Sequence, residues 1–195
     1  QSTNFITYSE DFSGAGWIRL NTVVEASSET FPDGLNNGFK VYATTSFSEH
    51  RIEPNPRPTT AAGENATLSF FVKSAGSDFI QIATSSGFPS RYQNFNVSTG
   101  TKASGDVSGS SIIDFGNGWY RISITEIATG TSARYLIIPI LSDIGRNQSF
   151  AGNANQDGVY IWGVQAEREV SKPSSYIPTS GITVTRLQDA AFGAG

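Results

Sequence analysis

Short runs rich in Val, Ile, Phe, Tyr and Thr recur about every ten residues along this chain, each cut off by a turn signal. Pro32-Asp33-Gly34, Asn36-Asn37-Gly38, Asn117-Gly118 and Asp157-Gly158 are the clearest of these signals. No window keeps the 3.6-residue apolar spacing of an amphipathic helix, so long helices are excluded. Strands are expected at Val23–Ser27, Gly38–Ala43, His50–Glu53, Ala66–Ser74, Phe79–Thr84, Tyr92–Val97, Ser111–Phe115, Trp119–Glu126, Arg134–Leu141 and Gly158–Glu167. Within them the alternation is readable: Leu68, Phe70 and Val72 share one face, and Ser69, Phe71 and Lys73 the other. Tyr120, Ile122 and Ile124 likewise oppose Trp119, Arg121 and Ser123. Ten such strands predict an all-β, two-sheet antiparallel β-sandwich of the jelly-roll kind. Pro54, Pro56 and Pro58 forbid a central strand beyond Glu53.

Only 15% of the 195 residues are charged and the net charge is −4, so the basic footprint of a nucleic-acid binder is missing. No apolar run approaches the roughly 20 residues of a membrane span. The absence of Cys removes disulfides, thiolate metal sites and cysteine nucleophiles, and a single histidine, His50, argues against a Ser-His-Asp hydrolase. No Met is present and Gln1 follows no leader, so the chain reads as a mature or excised piece of something longer. The sandwich domain is expected over residues 1–172. From Pro173 the pattern turns to Pro, Ser, Thr and small residues. Residues 173–195, ending in the apolar Ala190–Gly195, are expected to be a tail leading to a neighbouring domain.

Three segments carry a family resemblance. Asn4-Phe5-Ile6-Thr7-Tyr8-Ser9-Glu10-Asp11-Phe12 with Trp17 resembles the opening of jelly-roll carbohydrate-binding modules of the family 4, 9 and 22 type. Asp114-Phe115-Gly116-Asn117-Gly118-Trp119-Tyr120-Arg121 resembles the GNGWYR strand of a branch also found in phage tail and head-fibre proteins. Gly158–Glu167, followed by Ser175-Tyr176-Ile177-Pro178-Thr179, is similar to the closing strand of that branch. The resemblance implies a non-catalytic, extracellular or virion-surface domain. Its concave sheet would dock a polysaccharide, and it would be joined to a catalytic or other neighbouring domain. A structural or receptor-binding role in a phage fibre is the alternative the same branch implies. The resemblance further implies a structural calcium ion where first and last strands meet, with Glu10, Asp11 and Gln165 as candidate ligands.

A sugar ring offers apolar C–H faces edged by hydroxyls, and is met by flat aromatics beside amide, carboxylate or guanidinium groups. On the strands, the face turned from the core supplies Phe71, Lys73, Gln81, Trp119 and Arg121, joined by Arg51 and Tyr92. The basic members tilt the expected ligand toward an anionic glycan. Trp162 is expected in the core, because Tyr160, Trp162 and Val164 read as one apolar stripe, and Trp17 as a plug at the sandwich end. His50 is expected to point inward as a hydrogen-bonded core residue. A lyase or glycoside hydrolase is disfavoured. There is no Glu-x-Asp-x-x-Glu strand for paired carboxylates, no Gln-x-His strand and no Gly-x-Ser-x-Gly elbow.

Overall fold

The computed structural model describes residues 1–187 and contains no helix among them. Its strands are β1 (Ser2–Asn4), β2 (Trp17–Leu20), β3 (Thr22–Ala26), β4 (Phe39–Ala43), β5 (Arg51–Pro54), β6 (Asn65–Ala75) and β7 (Phe79–Ser85). There follow β8 (Tyr92–Asn96), β9 (Thr101–Gly105), β10 (Gly109–Gly116), β11 (Trp119–Ile127), β12 (Arg134–Ile138), β13 (Gly158–Arg168) and β14 (Val184–Arg186). Two six-stranded antiparallel sheets stack face to face. The front sheet runs β10-β11-β6-β13-β4-β3 and the back sheet β2-β5-β12-β7-β8-β9, while β1 pairs with β14 apart from both. The chain passes repeatedly from one sheet to the other, as the expected jelly-roll sandwich requires.

The alternation read from sequence sets the core. Phe70 lies opposite Ile122 and Leu68 opposite Ile124 on the inner front face. Ile80 opposite Phe95, and Ile82 opposite Ile137, fill the inner back face. All eight are fully buried, each contributing roughly 1.5–3 kcal/mol of burial free energy. β12 stops at Ile138, short of the expected Leu141, because Pro139 has no N–H to give the ladder. His50 points inward and its ring nitrogens contact the carbonyl oxygens of Asn21 and Phe150.

Two expectations are corrected. The stripe Tyr160, Trp162, Val164 is not continuous: β13 shifts register between Trp162 and Gln165. This bulge returns Val164 to the inner core and leaves Trp162 on the outer face, where it packs in a second apolar cluster. The stretch expected to lead away from Pro173 instead folds back onto the domain. Asn4, fully buried, donates to the carbonyls of Val164 and Ile177 and accepts from the amides of Ile6 and Ala166. Thr179 bonds Ser9 and Ile6, and β14 pairs with β1 through Ser2↔Arg186. A buried amide with all four of these bonds made holds that return in place. The expectation for Ala190–Gly195 lies outside the described residues.

Candidate functional site

The seven residues expected to line one groove lie on outward faces, but on two different sheets. Phe71, Lys73, Trp119 and Arg121 belong to the front sheet, whereas Arg51, Gln81 and Tyr92 belong to the back sheet, across the whole core. A single groove cannot use both sets. Alternation tells which way a side chain points relative to its own sheet, and says nothing of which sheet its strand joins.

The back-sheet residues are covered or paired. The connection 139–157 lies over β7 and β8, and Gln81 is fully buried beneath it. Gln81 donates to Asn94 Oδ1 at 2.8 Å and to the Gly145 carbonyl at 3.0 Å, and accepts from the Asn147 amide at 2.6 Å. Asn94 passes the network on to Asp143 at 2.7 Å, which Ser104 also contacts. These hydrogen bonds hold the Asp143 carboxyl below its ordinary value, that from Asn94 most strongly. Tyr92 packs against the apolar cluster of Ala83, Leu136, Ile138 and Ile140, which Ile144 and Phe150 of the covering segment also join. Arg51 pairs with Glu49 at 2.8 Å and shares the buried Glu53 with Arg134 and Arg57, so its guanidinium is already committed.

On the front sheet the four residues do come together, beneath a partial cover of aromatic rings. Phe71 and Trp119 are only 3% and 4% exposed. Phe71 is ringed by Trp162, Tyr176 and Phe115. Trp119 packs 5.2 Å from Phe31 and donates its indole N–H to the Thr30 carbonyl. Neither offers the open platform expected of it: their ring faces are spent on one another. Arg121 stacks its guanidinium 5.3 Å from the Phe71 ring centre and donates to Ser69. Burial pushes its pKa down, and Glu167 opposes this. Lys73 Nζ lies 2.9 Å from Glu29 Oε1 and ties the loop after β3 to β6. That loop closes tightly because residue 38 is glycine: a Cβ there would sit 2.2 Å from the Phe31 ring.

What remains open is a cleft of about 310 Å³ between this loop and the β10–β11 hairpin, lined by Glu29, Phe31, Phe115, Asn117 and Trp119 among others. The hairpin tip builds one wall. Gly116, Asn117 and Gly118 all take positive φ, and Asp114 accepts the Gly116 amide at 2.7 Å. Beside the register slip between Asp114 and Gly116, Phe115 stands on the same outer face as Ile113, 55% exposed, with its ring edge-on to Phe71 at 4.8 Å. Half-open aromatic surface therefore meets a carboxylate and an amide across a space large enough for a sugar ring. Glu29, Phe31, Phe115 and Tyr176 were not among the expected residues. Phe115 stood inside the Asp114–Arg121 segment, and its strand position alone placed it on the outer face.

The calcium candidates are each engaged separately. Glu10 accepts the Tyr176 hydroxyl, and Asp11 accepts from Ser13, which lowers its pKa. Gln165 is buried, donating to Glu167 and accepting from the Ile177 amide. Among the described residues no group of three or more His, Cys, Asp or Glu side chains is placed to hold a metal ion.

No protein-family model matches the chain, and no curated protein matches it significantly. Among solved structures it is similar to TmCBM61 in complex with beta-1,4-galactotriose, at 13% identity and a TM-score of 0.46, over 85% of this chain and 99% of that one. It is also similar to the CBM22-1 xylan-binding domain of Xyn10C from Paenibacillus barcinonensis, at 11% identity and a TM-score of 0.42, over 87% and 93% of the two chains. At such identities no side chain of the cleft carries over from either.

Proposed function

We propose that this domain is a non-catalytic carbohydrate-binding module of an extracellular or surface protein, and that it docks a glycan in the front-sheet cleft. The observation that carries this reading is Phe115, a half-exposed ring held by its hairpin at the mouth of an aromatic-walled cleft that also presents Glu29 and Asn117. The ring covers a C–H face, and the carboxylate and amide take hydroxyls. A shallow, partly wet cleft of this size supports affinities of about micromolar to millimolar. A polysaccharide is the ligand class, and the nearby Lys73 leaves room for anionic decoration.

Affinity electrophoresis in gels holding neutral or anionic polysaccharides, with and without EDTA, tests this. The wild type is retarded by at least one gel, Phe115→Ala runs free, and an EDTA effect reports a calcium ion. Absence of retardation across the panel overturns the reading. A second reading has its own observation: Ile113 and Phe115 are both more than half exposed on the outer face of the edge strand β10. Such a strip also suits packing against a neighbouring domain or fibre subunit. Self-association lost in Ile113→Lys would favour it.

A further inference from the structure

A second cavity lies away from the front-sheet cleft, at the end of the sandwich where β6 and β10 begin and β11 ends. It measures about 480 Å³, and its walls include Pro89, Arg91, Thr125, Glu126, Ile127 and Thr129. Its polar anchor is Glu126. This side chain follows the inward-facing Ile122 and Ile124 along β11, and is 6% exposed. One carboxylate oxygen, Oε2, accepts from Arg91 at 3.4 Å, whereas the other, Oε1, is buried without any hydrogen-bond partner. Leaving a buried acceptor unpaired is costly, and such groups are rarely left so without a reason. Burial raises the Glu126 pKa despite Arg91, and Asp106 adds to the rise. Only one of its two oxygens thus has a donor in the free domain.

We infer that this end cleft is a second binding site, taking a neutral polyhydroxyl group such as a single sugar residue or terminal sugar of a chain. A hydroxyl both donates and accepts. It can receive an N–H from Arg91, whose guanidinium is partly exposed, while giving its proton to the Glu126 carboxylate that Arg91 meets only at 3.4 Å. Arg91 and Glu126 face each other as an ion pair, so neither charge is left over to hold a charged ligand. Pro89 and the 58%-exposed Ile127 give the apolar wall that a sugar's C–H face needs. The volume holds one sugar ring with its water.

The test is amide-resolved NMR titration of the whole domain with glucose, galactose, mannose, xylose and, as the smallest polyol, glycerol. Saturable shifts are expected at residues 90–91, 108–109 and 125–129 with at least one of these probes. Glu126→Gln should weaken them about tenfold. Thr129→Trp, placed at an exposed rim position, should abolish them by filling the cleft without touching the core. Phe115→Ala should leave them unchanged, and loss of polysaccharide retention in that variant says nothing against this site. No saturable shift at these amides with any probe means that the cleft holds water only, and overturns the inference. Shifts that survive both Glu126→Gln and Thr129→Trp overturn it too.

Discussion

The outer faces of the two sheets are both covered, but by different means. The back sheet carries a mixed seal: beside a small apolar cluster of Ala83, Leu136, Ile138 and Ile140, the polar Gln81, Asn94 and Asp143 are stitched to the connection over them. The front sheet carries an apolar one, in which Phe31, Phe71, Trp119, Trp162 and Tyr176 pack ring on ring. Hydrogen-bonded amides demand fixed partners, so the mixed seal closes its face. Ring edges need only contact, so the aromatic seal can end part-way and leave Phe115 and a cleft at its margin. The comparison teaches that the open, adaptable surface of this domain lies where its second apolar cluster runs out.

The comparison breaks most sharply at the cluster's centre. Trp119→Ala removes a buried ring from the front face and should cost about 3–5 kcal/mol in urea unfolding. A loss near zero would mean that the cluster is a loose cover. Gln81→Ala, on the back face, leaves the Asn147 amide and Asn94 carbonyl oxygen without this partner and should cost about 1–3 kcal/mol. The two faces also differ in acid. Because Asp143 has a folded pKa below its ordinary value, its stabilisation is complete above about pH 3.8 and is lost as pH falls through the lower folded value. Asp143→Asn should flatten the acid limb of a stability-against-pH curve, and an unchanged limb would remove Asp143 from the seal. Smallest in stability is Phe115→Ala, within about 0.5–1 kcal/mol because the ring is half exposed. Its effect belongs to binding.

Much of this was legible in the chain. All ten expected strands form, and Leu68, Phe70, Ile122 and Ile124 face the core as their alternation requires. The four strands not foreseen are short. Thr101–Gly105, for instance, has one small apolar residue and no inward-outward pattern to read. The candidate site was legible only in part. Phe71, Lys73, Trp119 and Arg121 could be assigned to an outward face, but whether that face meets water depends on the loop around Phe31 and the return of Tyr176. Those segments come from distant parts of the chain and carry no periodicity. Gln81 failed as a surface residue for the same reason: its cover, residues 144–147, lies more than sixty positions away. The split between sheets was beyond reach, because strand order is a matter of topology.

Calorimetric titration of a polysaccharide that retards the domain, into wild type, Phe115→Ala and Arg51→Ala, tests the central claim most directly. Binding in the front-sheet cleft predicts at least about a tenfold loss for Phe115→Ala with unaltered unfolding, and wild-type affinity for Arg51→Ala. Wild-type affinity in Phe115→Ala with loss in Arg51→Ala would contradict it and move the glycan to the back sheet.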